Sequence, residues 1–122
     1  MIEPHKAAGD PWRYRNYIRC SAAELMIAKG MYVQTHSGWF SDRSICYLAS
    51  GRPVLAQDTG LAGVLPTGAG LLTFVTLDEA VEGTTAIRRD YARHARAARN
   101  VAAGCFDSSV VLASLARKLD LC

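Results

Sequence analysis

Residues 41–60 read SDRSICYLASGRPVLAQDTG, and their order decides the fold class. Ser41 suits a helix N-cap, Asp42 suits a first turn, and Gly51 stands just past Ser50, so the spacing predicts a helix over Asp42–Ser50. Pro53 is tolerated at the start of a strand, and the apolar run behind it ends in the polar turn Asp58-Thr59-Gly60. A helix that delivers the chain straight into a short apolar strand is half of a parallel crossover unit.

Downstream, the Gly/Pro-rich segment LAGVLPTGAG (61–70) leads to a predicted strand over Leu71–Val75, and Thr76 with Glu79 forms a capping box. From Leu77 apolar residues recur at Val81, Ile87, Tyr91, Ala95, Ala98 and Val101. Acids come early in this stretch (Asp78, Glu79, Glu82) and arginines late (Arg88, Arg89, Arg93, Arg96, Arg99), the charge order a helix macrodipole favours. A last helix begins at about Asp107 and presents Val111, Leu112, Leu115 and Leu119 on one side.

Upstream, Asp10-Pro11 opens a long predicted helix that runs to about Lys29 and stops at Gly30, after which MYVQT (31–35) reads as the first strand. Short apolar strands alternating with helices predict an α/β, Rossmann-like, three-layer arrangement. Its parallel sheet has about three strands flanked by helices, and its open edge calls for a missing segment or a partner chain.

With 122 residues, half of them hydrophobic, the chain is sized for one domain that buries roughly two-thirds of its unfolded surface. No run is apolar and long enough to span a bilayer, and the N-terminus lacks a secretory pattern, so a mature cytoplasmic chain is expected. Cys20, Cys46, Cys105 and Cys122 form no CxxC pair and read as buried reduced thiols. His5, His36 and His94 have no metal-ligand spacing and no nucleophile-elbow pattern occurs, so neither a metal, a cofactor nor a hydrolase triad is expected.

A net charge of +3 is too small to announce a nucleic-acid binder. Arg89, Arg93 and Arg96 nevertheless recur at i, i+4 and i+7, as either a solvated face or a grip on phosphates of nucleic acid or an anionic membrane.

In parallel sheets ligands collect at the carboxyl ends of the strands, beside helix N-termini. Two loops qualify. In the first, Ser37, Gly38, Trp39, Phe40, Ser41, Asp42 and Arg43 combine a backbone free to approach a ligand, first-turn amides and a cation for phosphate, and two aromatics that either flank a base or fill the gap between helix and sheet. In the second, Asp58, Thr59 and Gly60 either meet sugar hydroxyls or make an ordinary turn.

The run SGWFSDRSICYLASGRPVLAQDTG (37–60), then LPTGAGLLTFVTLDEAV (65–81) and DYARHARAARNVAAGCFDSSVVL (90–112), resembles the C-terminal part of bacterial group 1 glycosyltransferases of the two-domain GT-B type. The similarity covers about the whole chain and is most specific over residues 37–82. It implies a single partial domain, residues 1–122, that binds a nucleotide-diphosphate sugar, with the loop 37–43 beside the donor sugar and diphosphate and Asp58–Gly60 close by.

Many retaining members of that class carry two glutamates eight positions apart. Laid over this chain, those positions hold Cys46 and either Ser37 or Gly38, so neither carboxylate is present. The resemblance also places an acceptor-binding domain upstream of Met1. A donor wall alone has no closed cleft, so the isolated chain is expected to transfer no sugar. The missing half or a second copy of the chain is the expected partner.

Overall fold

The computed structural model describes residues 2–120. Its elements in order are α1 (Pro4–Ala8), α2 (Pro11–Cys20), β1 (Glu24–Met26), α3 (Gly30–Gln34), α4 (Asp42–Ala49), β2 (Val54–Gln57), a 3-10 turn (Leu61–Gly63), β3 (Leu71–Phe74), α5 (Leu77–Arg89), α6 (Tyr91–Cys105) and α7 (Ser108–Lys118). The sheet is parallel throughout in the order β1-β2-β3, with Glu24 opposite Val54 and Leu55 opposite Leu72.

Alternation along the strands divides the interior into two cores. Met26, Val54, Ala56 and Leu71 face Ile18 of α2, Tyr47 and Leu48 of α4, and Ala98 and Val101 of α6. On the opposite face Leu55 and Phe74 pack against Ile87 of α5. Helices thus flank the open three-stranded parallel sheet on both faces, a mixed α/β arrangement.

The first third of the chain departs from the pattern in its sequence. The predicted helix to Lys29 ends at Cys20, where Ser21 donates its amide to Ile18 O (3.0 Å) and its hydroxyl to Tyr17 O (2.8 Å). The first strand is β1, and the predicted strand MYVQT lies in helix α3 and the residue after it, where Thr35 Oγ1 donates to Met31 O (2.7 Å). The reason is tertiary. Alanine, glutamate, leucine and methionine favour helix locally, but at Glu24–Met26 the ladder to β2 and the burial of Glu24 and Met26 outweigh that preference.

The helical run expected from Leu77 to Val101 is two helices. Asp90 leaves helical geometry at φ −137°, ψ 60°, and its carboxylate accepts from Arg93 N (3.3 Å), capping α6. Arg89 therefore ends α5 while Arg93 and Arg96 belong to α6, so the arginine stripe spans a break. The capping box at Thr76 and Glu79 forms as its sequence predicts. Asp107 caps α7, and bonds from the Ser109 hydroxyl and amide hold its carboxyl below the usual carboxylate range.

The cysteines were expected to be buried, but Cys20 and Cys46 are exposed and Cys105 is half-buried. Cys46 lies off the α4 face formed by Ser44, Tyr47 and Leu48, and Cys20 ends α2 beyond its buried residue Ile18. Cys122 lies outside the described residues.

Two features hold the layers in register. The Arg52 guanidinium donates to Arg19 O and to Tyr91 Oη (3.0 Å), and Tyr91 Oη donates to Ala22 O (2.6 Å), joining the α2–β1 corner to the start of α6. Gly70, at φ +76°, donates its amide to Nδ1 of buried His94 (3.2 Å) and accepts at its carbonyl from Val54 N (2.8 Å). A Cβ at Gly70 would stand 2.2 Å from Ala98 N of α6.

The surface is generous for the mass. The chain exposes 8172 Å², whereas a compact monomer of 13.2 kDa exposes about 6,400 Å². Part of the excess is apolar, at Leu25 and Ile27 of the β1 edge and along α7.

Candidate functional site

The two loops singled out in the sequence meet at the carboxyl end of β2. Gly38 N donates to Thr59 O (2.7 Å), and the buried hydroxyl of Thr59 donates to Trp39 O (2.7 Å). Both bonds need the left-handed backbone at Gly38 (φ +72°) and Gly60 (φ +91°). A Cβ on Gly60 would lie 3.1 Å from His36 O, so the turn also sets how closely the first loop approaches.

Asp58 shapes the second turn itself. Its Oδ1 accepts from Gly60 N (2.9 Å) and Leu61 N (3.1 Å), an Asx turn that feeds the 3-10 turn. In the first loop Ser37 Oγ donates to Tyr32 O (3.4 Å) and accepts from Trp39 N (3.3 Å).

The aromatics have packing partners. Trp39 stacks on Tyr32 with ring centroids 4.9 Å apart and 7° between planes. Phe40 stacks on Phe106 at 5.7 Å and 15°. Both rings border the larger core, so the gap-filling role weighed for them in the sequence is occupied.

At the first turn of α4, Ser41 holds the N-cap position with extended backbone, but its buried side chain makes no cap bond. Asp42 accepts from Arg43 N instead (2.8 Å). Arg43, expected to face a phosphate, directs its Nε to Oε1 of Glu24 at the start of β1.

That ion pair is the polar feature that reading the sequence missed. Glu24 sits in the stretch taken for helix, where a glutamate is an ordinary surface residue. In the sheet its side chain is 5% exposed, while half of Arg43 remains in solvent. Oε2 of Glu24 and Oγ of Ser44 are both buried without a partner among the described residues. The bond to Glu24 raises the guanidinium's affinity for its proton and burial opposes it, so Arg43 stays cationic. Tyr14, on the same side of the sheet, has its hydroxyl pushed above the usual tyrosine range, chiefly by burial and next by Cys46, against the pull of Arg43.

The rim therefore presents a backbone-defined corner with Asp58, the Ser41–Arg43 helix start and the edge of Trp39 around it. Among the described residues no group of three or more His, Cys, Asp or Glu side chains is placed to hold a metal ion. No protein family, curated protein or solved structure matches the chain.

Proposed function

We propose that this chain is the donor side of a GT-B-type glycosyltransferase, holding a nucleotide-diphosphate sugar at the rim where residues 37–43 meet Asp58–Thr59–Gly60. As an isolated polypeptide it binds without transferring. The observation that carries the reading is the pair of bonds from Gly38 N to Thr59 O and from Thr59 Oγ1 to Trp39 O, which set both loops beside the α4 N-terminus at the carboxyl end of a parallel strand. In this reading the first-turn amides of α4 receive the diphosphate, Asp58 meets a sugar hydroxyl, and Arg43 adds charge from its place beside Glu24.

Calorimetric titration with uridine, guanosine and thymidine diphosphates and their sugar adducts tests it. At least one ligand should bind with a dissociation constant below about 1 mM, and Asp58→Ala and Thr59→Val, checked for folding by circular dichroism, should each weaken it at least tenfold. Silence across the panel, or affinity indifferent to both substitutions, rejects the donor site. Sugar transfer by the isolated chain rejects the second half of the proposal.

A second reading, an interaction module, rests on the β1 edge. Leu25 and Ile27 are 58% and 62% exposed there. Leu25 also lines a mainly apolar groove of about 340 Å³ with Ala22, Leu55, Ile87 and Tyr91. A polypeptide that adds a strand to this edge, a second copy included, removes both apolar exposure and unpaired backbone. Sedimentation equilibrium should then record a dimer that Ile27→Lys dissociates; a monomer at millimolar concentration excludes the second copy.

A further inference from the structure

The charge of the chain is unevenly placed. Residues 1–86 hold seven lysines and arginines against eight acids, whereas residues 87–122 hold seven against three. The whole positive excess therefore belongs to the end of α5, to α6 and to α7, an asymmetry that points toward an anionic partner.

The fold arranges this excess as a ridge. α6 turns His94, Ala98, Val101 and Ala102 inward and leaves Arg93, Arg96 and Arg99 exposed, with Arg88 and Arg89 exposed at the end of α5. The ion pairs among the described residues are Lys6–Glu3, Arg13–Asp10 and Arg43–Glu24, so no arginine of the ridge is held in an ion pair.

Beside it lies a helix short of packing. α7 has no buried residue, and Val110, Val111, Leu112, Leu115 and Leu119 are 44% to 61% exposed, with Arg117 and Lys118 in the last turn. Helices of this length are marginal in water unless an apolar face is covered. Arg99 and Asn100 of α6 share a groove of about 480 Å³ with Asp107 and Ser108, so the ridge runs into the start of α7.

Different partners would use this surface differently. A nucleic acid would engage the arginines and leave the leucines in water. A second copy would cover the leucines and set two basic ridges close together. An anionic lipid surface takes both, since leucines enter the headgroup–acyl boundary while arginines reach lipid phosphates. We propose that α6 and α7 form a face that docks this chain peripherally on an anionic phospholipid surface. The proposal shares no residue with the donor-site reading, and each fails independently of the other.

Co-sedimentation of the full chain with phosphatidylcholine vesicles, with and without 30% phosphatidylglycerol, is the test. Binding to the anionic vesicles should be at least ten times tighter, and should weaken about tenfold between 50 and 500 mM NaCl. Leu112→Ser/Leu115→Ser and Arg93→Gln/Arg96→Gln should each lower it at least fivefold, with far-ultraviolet circular dichroism retained because these side chains fill no core. Equal binding to both vesicles overturns the proposal, as does anionic-vesicle binding that survives loss of the leucines and is competed by duplex DNA. Leucine-dependent self-association without vesicle binding overturns it in favour of a second copy.

Discussion

Gly70→Ala is expected to leave the chain without a cooperative thermal transition. The added methyl group would lie 2.2 Å from Ala98 N and 2.5 Å from Ala97 C, both backbone atoms of α6 with no rotamer to yield. It would also hold a non-glycine residue at φ +76°. Relief requires α6 to withdraw from β3, which breaks the bond from Gly70 N to His94 and unpacks Ala98 and Val101. A cost of about 4 kcal/mol or more is a large part of the 5–15 kcal/mol typical of a domain's whole stability. Gly68→Ala separates the two causes. Gly68 has φ +99° but nothing within 4 Å of its built Cβ, so that variant should lose only about 1–2 kcal/mol, read as a lowered urea midpoint with an unchanged slope.

Arg43→Met should destabilise by about 2 kcal/mol, and Glu24→Gln added to it should restore most of the loss. Removing the guanidinium leaves the buried Glu24 carboxylate without its ion-pair partner, and stranding a charge in this way costs more than the pair itself contributes. The figure lies below that for a fully buried pair because half of the Arg43 side chain is in water. The amide of Glu24→Gln carries no charge to strand. Chemical denaturation of wild type, both single variants and the double variant gives the coupling. If Arg43→Met melts like wild type, or the double variant is as weak as the single, the pair does not hold β1 to α4.

What was legible in the sequence follows from how local its cause was. The α4–β2 unit could be read because Ser41, Gly51 and Pro53 act through their own backbone, and Thr76 and Glu79 formed their box for the same reason. β1 could not be read, because nothing within Ala22–Ile27 asks for a strand; the request comes from Val54–Ala56, some thirty positions later. The break at Asp90 is a local signal that was outweighed by helical periodicity on both sides of it.

The candidate site divides in the same way. The two turns could be located from their glycines and from Asp58, since a left-handed backbone and an Asx turn announce themselves in residue type. The destination of Arg43 could not, because it depends on Glu24 entering the sheet. One misread element thus hid the ion pair that holds the buried Glu24 carboxylate.

The bracket through Arg52 and Tyr91 has a consequence for the order of assembly. Residues 19 and 22 are fixed by side chains that lie far later in the chain, and β1 finds its ladder only in β2. During synthesis the early segment emerges long before those anchors, free to coil as its alanines and leucine prefer. The edge strand is held by contacts 30 to 69 positions apart in sequence, so it is expected to join the sheet after the helices and pairings that close locally.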